Sequence, residues 1–343
     1  MSQANGSSLL DENNIAERNL LTRVPILVIN AHNRCNCRCV MCDIWKITEA
    51  RPLRAADLEP HIASFRALGV RWIVFTGGEP LMNPELPLLA AMLRAESVRL
   101  TLLSTGLLLE RHAAEVAESF DEVIVSLDGP SEVHDRIRRV PGAFSRLQSG
   151  IASLRARVPS FPICARTTVQ KANHMNLRET VETAKSLGVR SISFLAADLT
   201  SQAFNRELVW PVARQSEIAL SAEELAGLDS EIEALIFDYG AEIDSGFIAE
   251  SPTKLRKITR HFRSHLGLAT PVSPQCNAPW VSAVIETDGT VRPCFFHPPI
   301  GNLHRGGFAE IINGEEALRF RSGLDVPTNP ICTRCVCSLH FAG

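Results

Sequence analysis

The chain has 343 residues, 45% of them apolar, and a formal net charge of −3. That length suits one large α/β domain with a smaller appendage, and the charge argues against a nucleic-acid or acidic-membrane partner. No apolar run approaches the ~20 residues of a membrane span, and the opening MSQANGSSLLDENN lacks the basic and apolar regions of a signal peptide, so a reducing, cytoplasmic setting is expected.

Residues 1–22 are polar and aperiodic and read as a flexible lead-in. The run VPILVIN (24–30) is short, apolar and rich in β-branched residues, which marks a buried strand. Four cysteines follow it within eight positions: Cys35, Cys37, Cys39 and Cys42. Further strand-like runs are WIVFT (72–76), LTLLS (100–104), EVIVS (122–126), ICARTTV (163–169) and SISFL (191–195). Helical spacing fills the intervals, over 57–69, 86–95, 111–120, 144–158 and 176–188. Six strand–helix alternations predict a parallel sheet with right-handed crossovers. A closed eight-stranded barrel would need two more units, so the expected class is α/β, a partial (β/α)6 barrel over 23–197.

In such sheets the chemistry gathers at the carboxyl ends of the strands. Those ends carry the cysteine loop, then TGGEP (76–80), STG (104–106) and SLDG (126–129), while Arg166 lies within the fifth strand. Residues 198–272 break the alternation and read as a helical, substrate-side segment. They contain a serine-capped helix at 221–240 and a basic stretch at 254–265, taken as a solvated helix face. Tyr239 and Asp244 in this segment read as surface residues. The tail, 273–343, is rich in Cys, Pro and Gly and has a hairpin signal at Asp288-Gly289.

The ten cysteines fall into two groups, with Cys164 alone between them in an apolar strand. Without disulfides, metal or cluster ligation is the usual account of such grouping. Cys35, Cys39 and Cys42 form C-x3-C-x2-C, which leaves Cys37 outside the pattern as a bystander. Three thiolates in one loop can hold three irons of a cubane and leave the fourth open. Zinc, or unrelated thiols, would also fit the spacing alone.

The cysteine loop together with Gly77-Gly78-Glu79-Pro80 resembles the radical S-adenosylmethionine (SAM) superfamily. The likeness extends over about 24–196. It implies a [4Fe–4S] cluster on Cys35, Cys39 and Cys42 whose free iron binds SAM, and a 5′-deoxyadenosyl radical as the product of cleavage. It further implies SAM contacts from Gly77, Gly78, Glu79, Ser104, Ser126, Asp128 and Arg166. The glycines would allow close backbone approach, and the Arg166 fork suits a carboxylate. Asp128 reads equally as a turn residue ahead of Gly129-Pro130. The aromatic residue that the family often places before its third cysteine is Met41 here, which can still pack against a ring.

Cys276, Cys294, Cys332 and Cys335, with Gly289 five positions before Cys294, resemble the auxiliary-cluster extension called SPASM in its long form and twitch in its short form. The resemblance implies one auxiliary [4Fe–4S] cluster on those four, with Cys337 as a spare thiol. Four thiolates also make a closed zinc site. The implied activity is hydrogen abstraction from a substrate carbon. It would oxidise, epimerise or otherwise modify a small-molecule natural product or sugar, with a flavodoxin or ferredoxin-type electron donor. Few residues precede the first strand, too few for a leader-binding domain, which favours the small molecule. Alternatives are a peptide maturase with a separate leader-binding partner and a non-catalytic zinc or cluster scaffold or electron carrier.

Overall fold

The structure, a computed structural model, describes residues 19–204, 206, 208–337 and 339–342. The lead-in lies outside the described residues apart from its last four. Of these, Leu21 exchanges two hydrogen bonds with the Asn313 side chain (2.8 and 2.9 Å), so the described end of the lead-in is fixed to the tail.

The predicted strands form β1 (Ile26–His32), β2 (Trp72–Gly77), β3 (Arg99–Ser104), β4 (Glu122–Ser126), β5 (Ile163–Val169) and β6 (Ser191–Ala196), all parallel to their neighbours. The sheet does not close. Its order is β6-β5-β4-β3-β2-β1-β7-β8-β9, so β6 is one edge and the tail strands extend the other. These are β7 (Ser282–Ile285), β8 (Thr290–Arg292) and β9 (Gly301–Asn302). The hairpin at Asp288-Gly289 is present, with β7 and β8 antiparallel. The sequence did not suggest that β7 adds in parallel to β1, pairing Ile26 with Ser282 through Ile29 with Ile285.

Period-2 alternation explains which face is which. Leu27, Ile29, Ile73, Phe75, Leu100, Leu102, Val123, Val125, Ile163 and Ile192 are wholly buried. They pack beneath α1 (Ile62–Ala67), α2 (Leu86–Arg94), α3 (Ala113–Ser119), α4 (Ser131–Arg138), α5 (Ala143–Arg157) and α6 (Leu177–Ser186). At about 1.5–3 kcal/mol for each fully buried large side chain, this layer is the main source of stability. The concave face is only half-buried and partly polar, with Asn30, Ser126, Cys164, Arg166 and Ser193 along it. Register places Ser126, Arg166 and Ser193 in one row across β4, β5 and β6.

Past β6, α7 (Ala222–Asp238) opens with a capping box between Ser221 and Glu224, a device worth about 1 kcal/mol. The basic stretch is α8 (Pro252–His265). Leu255, Ile258 and Phe262 are buried, while exposed Arg256 pairs with Glu233 of α7 at 2.7 Å. Among the described residues no helix is long and apolar enough to cross a membrane.

Candidate active site

The four early cysteines occupy the loop that leaves β1. Cys37 and Cys39 are buried against Leu107 and Ala143, with Cys35 and Cys42 half-buried beside them. Each thiol of the C-x3-C-x2-C set has an N–H donor. Cys35 Sγ accepts from Cys37 N at 3.4 Å, Cys42 Sγ from Ile44 N at 3.4 Å, and Cys39 Sγ from Arg138 Nη1 at 3.5 Å. Burial pushes the Cys42 thiol up to about 12. A hydrogen bond with Cys37, and then the charge of Arg138 working against burial, bring Cys39 down to about 7. Among the described residues no three His, Cys, Asp or Glu are grouped to hold a single metal ion.

The loop is held in place from three sides. From β2, Gly78 N donates to His32 O at 2.7 Å and Glu79 N to Arg34 O at 2.9 Å. The approach is closer than any side chain allows. A Cβ on Gly78 would stand 2.0 Å from Arg34 O, and one on Gly77 2.4 Å from His32 O. These glycines were expected to admit the nucleotide closely; what they demonstrably admit is the backbone of the cysteine loop.

From α4, the carbonyls of Ile137 and Arg138 accept from Val40 N and Arg38 N, both at 3.0 Å. From beyond β6, described residues of the segment 198–216 bond to the loop as a strap. Phe204 O accepts from Asp43 N at 3.3 Å, Trp210 Nε1 donates to Asp43 Oδ2 at 2.7 Å, and Arg214 donates to Val40 O. Buried Arg206 joins the strap to itself, 2.5 Å from Asp198 Oδ2 and 3.7 Å over the Trp210 ring. The sequence reading assigned this segment to substrate contacts and missed the strap, because its bonds run to residues more than 160 positions away.

Three expected SAM contacts are otherwise engaged. Glu79 is wholly buried, and its carboxylate accepts from Leu81 N (3.1 Å), Ser104 Oγ (2.9 Å), Thr105 N (2.7 Å) and Thr105 Oγ1 (2.6 Å). Burial raises its carboxyl above the usual range, against the pull of those donors. Glu79 and Ser104 therefore brace β2 against β3, and the carboxylate has no lone pair left over for an incoming cation. Asp128 is a second correction. Wholly buried, it lies 2.5 Å from Arg138 Nη2 and accepts from Thr168 N at 3.0 Å. Its carboxylate anchors Arg138 in an ion pair.

Ser126 and Arg166 do lie on the concave face, with Arg166 Nε donating to Ser193 Oγ at 3.2 Å. The sequence reading passed over Asn36: its Nδ2, between Cys35 and Cys37 in the chain, is buried with no partner among the described residues. Asn36 Oδ1 lies 3.0 Å from Thr105 Oγ1, whose one hydrogen goes to Glu79, so turning the amide gives its N–H that oxygen as acceptor. The buried thiols and the Arg166 fork suit a cluster carrying a bound amino-acid nucleotide.

The second thiol group gathers around the tail hairpin. Burial, reinforced by Cys276 and Cys332, raises Cys294 to about 11. Cys332 is likewise raised to about 11 by burial and by Cys276. Cys335 is pushed up by burial and by Cys337, Cys294 and Cys276. Thiols that disfavour one another's ionisation are a set that a cationic cluster would relieve. Cys337 lies within electrostatic reach of both Cys276 and Arg166. Buried His297, its Nε2 3.3 Å from Cys332 Sγ, was not foreseen. The rings of Phe204 in the strap and Phe296 meet at 6.3 Å. Cys337 of the second group is thus near Arg166 of the concave face, and the strap touches the tail two residues past Cys294.

Comparison with known proteins agrees with this geometry. Residues 29–184 match the radical SAM superfamily, and residues 276–336 match the iron–sulfur cluster-binding domain called SPASM. The chain belongs to the radical SAM enzymes with a C-terminal auxiliary-cluster domain, and its cofactors are SAM, a SAM-binding [4Fe–4S] cluster and auxiliary iron–sulfur. It is 27% identical over 346 residues to Fe-coproporphyrin III synthase of Methanosarcina barkeri, covering 92% of this chain and 83% of that protein. It is 26% identical over 281 residues to PqqA peptide cyclase of Ruegeria pomeroyi, covering 79% and 67%. In fold it is similar to Streptococcus suis SuiB bound to S-adenosylmethionine, with a TM-score of 0.64 at 12% identity over 99% of this chain and 79% of that one.

Proposed function

We propose that this enzyme abstracts a hydrogen atom from an unactivated carbon of a small organic molecule on the concave face and leaves it oxidised or epimerised. When bound, the first cluster supplies the electron that cleaves SAM to methionine and 5′-deoxyadenosyl, and the second supplies an electron sink. Cys35, Cys39 and Cys42 would hold the first, and Cys276, Cys294, Cys332 and Cys335 the second. Arg166 pairs with the SAM carboxylate, and Ser126 hydrogen-bonds ribose or carboxylate. The strap and the Gly77-Gly78 contact hold the cysteine loop still and keep water from its buried side. A flavodoxin or ferredoxin-type protein would deliver the electron.

One observation carries the reading. Arg166 is in register with Ser126 on the half-exposed face and within electrostatic reach of Cys337, beside the second thiol group. That arrangement suits a substrate held between a radical source and an electron acceptor. The coproporphyrin synthase, similar across nine-tenths of this chain, favours a small molecule. The peptide cyclase gives the second reading, a precursor peptide presented by a separate leader-binding partner.

Anaerobic reconstitution followed by a metabolite and peptide screen tests both, scored by deuterium transfer from substrate into 5′-deoxyadenosine. Replacing Cys35, Cys39 and Cys42 together by alanine is expected to abolish 5′-deoxyadenosine formation. Persistent formation in that variant would refute the assignment.

A further inference from the structure

The three thiols of the first group do not have equivalent donors. Cys35 and Cys42 each accept from the neutral backbone N–H two residues on. Cys39 accepts from a guanidinium 99 positions away in the chain. Arg138 is 6% exposed and Asp128 is fully buried, so this charge lies where water screens it little.

Its position is fixed several times over. One arm of the fork meets Asp128 at 2.5 Å and the other meets Cys39 at 3.5 Å. Its own carbonyl is bonded to the cysteine loop at Arg38 N, 3.0 Å away. Asp128 is itself held by Thr168 N, and its backbone N–H donates to His134 Nδ1 at 3.2 Å. Burial works against the charge on Arg138, but Asp128 and the thiols around it hold it firmly protonated. A lysine could meet one of these partners; the planar fork meets both.

We propose that Arg138 is a positioning residue that sets the reduction potential of the SAM-binding cluster through its charged hydrogen bond to Cys39. The inference rests on Cys39 being a cluster ligand, as read above. Reducing the cluster adds a negative charge that spreads onto its sulfurs, and hydrogen bonds to those sulfurs are a principal control of potential. A buried cationic donor stabilises the reduced form more than the oxidised form. Asp128 cancels the net charge of the pair, so the site bears no isolated ion, while the N–H dipole remains aimed at sulfur. Arg138 thereby makes the electron-accepting step easier without touching SAM.

The test is a redox titration followed by electron paramagnetic resonance on the reconstituted full-length enzyme. The Asp128→Asn/Arg138→Gln double variant replaces the ion pair by a neutral pair of similar size. At the potential where the wild-type SAM-responsive cluster is half reduced, its reduced-to-oxidised ratio is expected to fall about tenfold, equivalent to about 59 mV for a one-electron couple. The auxiliary cluster should not move, which a general loss of folding would not spare. Arg138→Lys keeps the charge and loses the fork. It should shift in the same direction by less, and it gives the reading if the double variant takes up no iron at the first site. An unchanged midpoint in a variant whose signal still responds to SAM overturns the inference. A wild-type protein with no SAM-responsive signal overturns instead the assignment of Cys39.

Discussion

Replacing Gly78 by alanine tests whether the Gly-Gly pair serves the cysteine loop. The added methyl would stand 2.0 Å from Arg34 O and 2.9 Å from Cys35 N, where real contacts keep at least 3.0 Å. Both obstacles are backbone, so no side chain can swing aside. The loop must retreat, straining the Gly78 N to His32 O and Glu79 N to Arg34 O bonds at 2.7 and 2.9 Å. Overpacking costs about 1–3 kcal/mol, and each buried bond lost about as much again. A destabilisation of at least about 3 kcal/mol is expected, against a total of about 5–15 for a typical domain. The assay pairs urea unfolding with iron and sulfide analysis after reconstitution. Iron should fall from about eight per chain toward the four of the auxiliary cluster. Gly240→Ala, with nothing within 4 Å of its added Cβ, is the control and should behave as wild type. A Gly78→Ala protein with wild-type stability and full iron would refute the reasoning.

Other outcomes are specific to single residues. Cys276→Ala is expected to keep SAM cleavage, now uncoupled, and to lose substrate turnover; turnover at the wild-type rate would show the auxiliary cluster to be dispensable. His134 is held neutral, its pKa brought down to about 3 by burial and by the charge of Arg138, against 6.5 in the unfolded chain. The unfolded state therefore takes up the proton first as pH falls. The stability tied to this group is whole above pH 6.5 and drains toward pH 3 at about 1.4 kcal/mol per unit. Urea midpoints at pH 7 and 5.5 should converge in His134→Gln relative to wild type, and identical slopes in the two proteins would refute this origin.

The strands were legible because their signal is local. EVIVS and ICARTTV coincide with β4 and β5, since an apolar β-branched run buried on a sheet needs no distant information to be recognised. The short helix at 131–138 was missed. Its apolar positions Val133 and Ile137 make only one helical repeat, too few to stand out beside the SLDG turn. With it went Arg138 and its ion pair with Asp128. Glu79 was read as a SAM contact and its neighbours were not legible, because Thr105 reaches its carboxylate only once β2 and β3 pair.

The order of the residues alone determined a parallel α/β sheet, a three-thiol loop at the end of its first strand, and a second thiol group near the C-terminus. Each follows from spacing or periodicity within a few dozen positions. Only the tertiary structure decided that β7 extends the sheet beside β1, that a strap from beyond β6 clasps the cysteine loop, and that a guanidinium 99 positions away donates to Cys39. Those are contacts between segments remote in sequence. No pattern along the chain encodes them; they exist only because burying the apolar face of the sheet brings the segments together.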